Sequence, residues 1–282
     1  MFKQKLKAFS VHLAISLTIF AVLLYLILYH WYPHPFFGAD GGWQGIRIVF
    51  GVDIVLGPLL TFIVYRKGKP GLKLDLTVIA LVQLAALSWG VHITYSQRPV
   101  LITFSLYRFY TVTADQFDKT GLGMDELKRF DQGSVLPMAY VDVPKDAEKQ
   151  KALFIKSMRS GRAVHLMGNL YRPVTEQNKS DIRAEAIDVR ASIKSDRRAW
   201  RELQTFLIEH HADLDRYLYL PMSCRYRELL AIVEPKSLEI VGAVTLSGKR
   251  LQFKHLSDEK RKKAPASPKH TSPKAAKPGT GH

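Results

Sequence analysis

The sequence predicts a membrane protein with three N-terminal transmembrane α-helices, a small α+β extracytoplasmic domain and a disordered basic tail. Three observations carry that expectation. Apolar residues are densest before residue 96, where they form three runs of spanning length. Basic residues gather in alternate connecting segments. Apart from proline, the stretch 257–282 holds no apolar side chain larger than alanine. The expected division is 1–96 for the helical region, 97–256 for the domain and 257–282 for the tail.

The first run, Phe9 to Tyr29, has only His12 as a titratable interruption. It exceeds the ~7–15 apolar residues of a signal-peptide core, and no small-residue cleavage site follows, so it reads as a retained span. His30, Trp31, Tyr32, Phe36, Phe37 and Trp43 follow, an aromatic stretch expected at a headgroup boundary. Further spans are expected over 46–65 and 74–95, with 30–45 and 66–73 as connecting loops.

Lys3, Lys5 and Lys7 precede the first span, and Arg66, Lys67, Lys69 and Lys73 lie in the second loop. The first loop has no Lys or Arg before Arg47. The positive-inside rule then puts the N-terminus and second loop in the cytoplasm and everything after residue 96 on the far side, a periplasm in a Gram-negative cell.

The domain opens on 100–113, "VLITFSLYRFYTVT", whose β-branched and aromatic residues predict a strand. Residues 145–160 predict a helix capped by Asp146 and ended by Gly161. Further helix is expected within 181–211. Two strands are expected around Glu234-Pro235-Lys236-Ser237. A strand, then helices, then a strand pair favours an α+β domain over a parallel doubly wound one. The Lys/Pro/Ala-rich tail lacks the apolar surface to offset ordering entropy.

Formal net charge is +16, divided as about +5, +6 and +5 among the three regions. That spread suits anionic lipid, and it argues against the concentrated basic face of a nucleic-acid binder. The bilayer is thus an expected partner and nucleic acid is not. Cys224 is the only cysteine, which excludes an intramolecular disulfide and a cysteine-based zinc cluster.

No hydrolase, P-loop or zincin motif occurs. Gly121 and Gly123 lack the third glycine of a dinucleotide fingerprint, and His210-His211 would point apart on a helix. Cys224 beside Arg225 has two readings, a thiol of lowered pKa or a small buried residue at a strand start. No cofactor or metal is expected.

Asp53 and Asp75 are the sharpest candidates for chemistry, because an intramembrane carboxylate is a functional-site hypothesis. An aspartic dyad requires adjacent carboxyls. At 1.5 Å per residue the two differ in depth by roughly 15–20 Å, so they cannot share a proton. Gln83, Thr77 or water are the expected partners of Asp53. Gly57-Pro58 is expected to bend the second span, and Asp75 to pair with the basic loop near Lys73.

"WYP" at 31–33, "VDIVLGPLLTFIVY" at 52–65, "KLDLTVIALVQLAAL" at 73–87 and "RPV" at 98–100 occur in order. Together these stretches resemble the TfpX/TfpZ family of type IV pilin accessory proteins, closely over 1–110 and more loosely over 217–244. The resemblance implies a bacterial inner-membrane protein with a periplasmic domain that assists its cognate pilin, with no catalytic residues to carry over. Asp53, Gly57, Pro58, Asp75, Ala86, Gly90, Arg98 and Pro99 are the structural or partner-contact candidates. Small residues such as Ala86 and Gly90 permit close helix approach, either to a pilin helix or within the protein's own bundle. The alternative is a membrane-bound enzyme, an intramembrane peptidase or periplasmic hydrolase, using Asp53 or the segment 115–215. Self-association is not legible.

Overall fold

The structure, a computed structural model, describes residues 2–247. The expected disordered tail therefore lies outside the described residues. Among the described residues, three helices are long and apolar enough to cross a membrane: Phe2–Trp31, Gly42–Val64 and Leu72–Ser96. The third is α-helical throughout, whereas the first ends in π-helical turns over Ile27–Trp31 and the second contains them over Phe50–Leu56.

The sheet follows immediately. Its strands are β1 (Pro99–Ser105), β2 (Arg108–Thr113), β3 (Met138–Val141), β4 (Tyr171–Pro173), β5 (Leu218–Ser223), β6 (Glu228–Val233) and β7 (Ile240–Thr245), in the order β4-β3-β1-β2-β5-β6-β7. Antiparallel pairs β4/β3, β1/β2 and β5/β6/β7 are joined by parallel contacts between β3 and β1 and between β2 and β5. The sheet is mixed, as an α+β domain allows.

Two expectations are corrected here. The stretch 100–113 is a hairpin and not one strand: Ser105 pairs with Arg108, and Leu106 turns the chain at φ +61°. Leucine rarely adopts that left-handed conformation, so composition carries no turn signal there. The domain also holds more strand than a single strand and a pair, because β3, β4 and β5 complete the sheet.

The helix over Ala147–Ser160 is capped as its sequence predicts, with Asp146 accepting from the Lys149 amide and Gly161 left-handed. Helices Val189–Ile193 and Arg197–Glu209 occupy the expected helical stretch, and Glu176–Ala184 begins before it. β6 and β7 flank the turn at 234–237.

Strands β1, β5 and β6 are buried on both faces, and their side chains alternate between separate cores. Leu220 and Met222 of β5 share one core with Phe104, Phe109 and Ile182, whereas Tyr219 joins Leu203, Leu230 and Ile232 on the opposite side under helix Arg197–Glu209. Leu101 and Val112 pack with Phe117, Phe130 and Tyr171. Burial on both faces explains why Val100, Leu101 and Ile102 of β1 are apolar in succession.

Candidate functional site

The segment between the first two long helices does not lie at the surface as an aromatic belt. Phe36 and Ala39 belong to the core that holds Ile102, Phe104 and Phe109. Tyr32 is buried too, and its hydroxyl donates to the Thr94 carbonyl at 2.9 Å. The boundary reading is thus corrected for Tyr32 and Phe36, while Trp43 remains exposed.

Asp40 fixes this segment to the sheet. Its side chain is fully buried, and Oδ1 accepts from the Thr111 hydroxyl of β2 at 2.7 Å and from the Arg225 amide at 2.9 Å. The neighbouring Ala39 carbonyl accepts from the Tyr226 amide at 2.9 Å. Gly41 follows at φ +112°, and a Cβ there would stand 2.8 Å from the Tyr226 ring. Glycine alone suits both the backbone and the close approach. The Arg225 guanidinium also reaches the Gln97 side chain, just past the third long helix.

Burial pushes the Asp40 carboxyl above its ordinary range, and the hydrogen bonds from Arg225 and Thr111 oppose that shift. Burial, reinforced by Asp40, also pushes the Cys224 thiol up. Of the two readings of Cys224, this environment disfavours the reactive thiol. Desolvation of the thiolate and the Asp40 carboxylate outweigh the opposing hydrogen bond from Thr111.

Within the helices, Asp53 is buried in the π-helical turns, and its Oδ1 accepts from the Ser16 hydroxyl of the first helix at 3.3 Å. Eight residues further along the second helix, Thr61 meets His12 Nδ1 at 2.6 Å. The expected partners on the third helix are corrected: Gln83 instead packs over Gly57, where an added Cβ would overlap the Gln83 amide. Pro58 lies at the start of the α-helical segment Gly57–Val64. Its missing N–H and its ring disfavour regular α-helix just upstream, where the π-helical turns occur. Asp75 pairs with Lys69 at 2.5 Å, within the basic loop but not with Lys73. The two aspartates are therefore engaged separately.

Gly90 faces the second helix, where a Cβ would stand 3.0 Å from Ile48. Ala86 is half-buried one turn away. Arg98 stacks over the Tyr95 ring at 3.6 Å and donates to the Tyr95 carbonyl at 2.7 Å, and Pro99 opens β1 opposite Thr113. These two residues stiffen the passage from helix to sheet. Among the described residues, no group of three His, Cys, Asp or Glu side chains is placed to hold a metal.

The sequence reading missed Asp40, Thr111 and Arg225. The available signal was an aspartate among Gly38, Gly41 and Gly42. Backbone of that kind permits close approach of another segment.

Fold and junction together define a class: an apolar three-helix unit whose first connection is built into the core of a mixed-sheet domain. Residues 1–41 match the family model described as "Fimbrial assembly protein FimB". The match ends beside Asp40. A fimbrial assembly protein of serogroup I from Dichelobacter nodosus is 28% identical over 246 residues, 85% of this chain and 94% of that protein. One of serogroups C1 and C2 from the same organism is 37% identical over 103 residues, 36% of this chain and 78% of that protein. The chain belongs to the fimbrial assembly protein family. No solved structure matches it.

Proposed function

We propose that this protein is an inner-membrane accessory factor for type IV pilus biogenesis, of the TfpX/TfpZ kind, which assists stability or assembly of its cognate major pilin without catalysis. The carrying observation is the similarity to a fimbrial assembly protein over 85% of the chain, through helices and sheet domain alike. In this reading the three helices span the membrane, the N-terminus is cytoplasmic and the sheet domain is periplasmic. The loop charges support that orientation. The separate engagement of Asp53 and Asp75 supports a scaffold over a peptidase dyad.

The pilin's apolar helix packs against the exposed side of the third helix, where Leu81, Val82 and Trp89 face outward. The sheet domain meets the pilin head. Deleting the gene in its own cells, with pilin immunoblots and electron microscopy, tests the reading. Correctly processed pilin that is scarce or unassembled is the expected result. Accumulation of unprocessed pilin, reproduced by Asp53→Asn, would overturn it in favour of a peptidase.

A further inference from the structure

Arg47 stands in the first turns of the second long helix, in a connection otherwise without Lys or Arg. A cation at the outer end of a span departs from the usual charge asymmetry. Its side chain is exposed and has no acceptor among the described residues. It lines a groove of about 980 Å³ between that helix and the sheet domain.

Arg198 and Arg227 of the domain share the groove with Trp43 and Phe50 of the helix. Arg198 is held by Glu202 at 2.9 Å, while the Arg227 guanidinium, like that of Arg47, has no acceptor among the described residues. The carboxylate lining the groove, Glu228, is already committed: it pairs with Arg108 at 3.2 Å and accepts from the Ser223 hydroxyl at 2.9 Å. The groove therefore presents uncommitted positive charge beside apolar and aromatic surface.

We infer that this groove binds an anionic phospholipid of the outer leaflet, with its phosphodiester between Arg47 and Arg227 and an acyl chain along Phe50. The inference rests on the membrane reading of the three helices. An anionic diester complements the two guanidiniums through charge-assisted hydrogen bonds. Phe50 lies one helical turn deeper than Arg47, on the side where an acyl chain descends. Trp43, half-exposed at the rim, has the amphipathic ring suited to headgroup level. Bound lipid would clamp the domain to the bilayer at a fixed height and so set the level at which the domain meets a membrane-anchored partner.

The full chain reconstituted in nanodiscs of phosphatidylcholine, doped with brominated phosphatidylglycerol or brominated phosphatidylcholine, tests this. Subtracting the emission of a Trp43→Phe variant isolates the Trp43 signal. Half-maximal quenching is expected at a several-fold lower mole fraction of the anionic lipid. Arg47→Gln or Arg227→Gln should each raise that fraction roughly fivefold. Equal quenching by the two lipids overturns the proposal while leaving the membrane reading intact, and this comparison needs neither arginine variant. Loss of the preference on adding millimolar glycerol phosphate would reassign the site to a soluble phosphate. Failure of the protein to enter nanodiscs would sink the membrane reading itself.

Discussion

Asp40 accepts a hydrogen bond from Thr111 at 2.7 Å across 71 residues of chain, joining the connection between two apolar helices to the second strand of the sheet. With the Arg225 amide on the same oxygen, the carboxylate ties together segments that have no local reason to meet. The helical and sheet parts are for this reason one packed structure.

Replacing Asp40 with alanine leaves the buried Thr111 hydroxyl and the half-buried Arg225 amide without their acceptor, which destabilises the junction by about 1–3 kcal/mol. Asparagine keeps an acceptor and should be far milder. The raised carboxyl pKa carries a definite sign: the folded state holds its proton more tightly than the unfolded chain. Asp40 therefore makes the protein more stable as pH falls from neutral toward the ordinary carboxylate range. Thermal unfolding in detergent from pH 7 to pH 4 reads this. Asp40→Asn should lack that component; an identical pH trend in the variant would rule it out.

His165 acts in the opposite direction. It stacks on Tyr110 with ring centroids 4.0 Å apart, and burial pulls its pKa down from 6.5 to about 4. The unfolded chain binds the proton first, so stability is full above pH 6.5 and declines as pH drops toward 4. In His165→Gln that decline should be absent. Unchanged acid sensitivity would mean that other groups govern it.

Gly57 and Gln83 make a reciprocal test within the helices. A Cβ at 57 collides with the Gln83 amide, so Gly57→Ala should cost about 1–3 kcal/mol and lower the steady-state level of the protein. Shortening the partner with Gln83→Ala in the same chain should recover most of the loss. Additive losses in the double variant would show that the two positions do not contact each other.

Gly90 and Val82 separate self-packing from partner contact. Gly90→Leu forces a side chain into Ile48 and should deplete the protein itself. Val82 is exposed on the same helix, so Val82→Ala should leave the protein level unchanged and reduce surface pili. Immunoblots of both proteins beside pilus counts discriminate these outcomes. Normal piliation in Val82→Ala, Leu81→Ala and Trp89→Ala alike would remove the third helix as the contact face.

The helices were legible because apolar runs of spanning length have little else to become, and Asp146 and Gly161 announced their helix by ordinary capping chemistry. The sheet was less so. Leu106 turns a hairpin without glycine or asparagine, and β3 and β4 are short strands, Met138–Val141 and Tyr171–Pro173, without clear alternation. Phe36 shows the deeper limit. An aromatic residue just beyond a span has the same composition whether it meets headgroups or enters a core, and only the sheet's position decides. Asp53 was correctly found as a buried polar group, yet its partner Ser16 lay on the first helix, because helix rotation is set by packing and not by local sequence.

The most direct measurement is photocrosslinking in living cells, with a photoreactive residue at Val82 on the third helix and at Lys236 in the β6–β7 turn, in a strain carrying the cognate pilin. A specific adduct with mature pilin from either position is the predicted result. No adduct from either, together with unchanged pilin and surface pili on deletion of the gene, would contradict the assignment to pilin assembly.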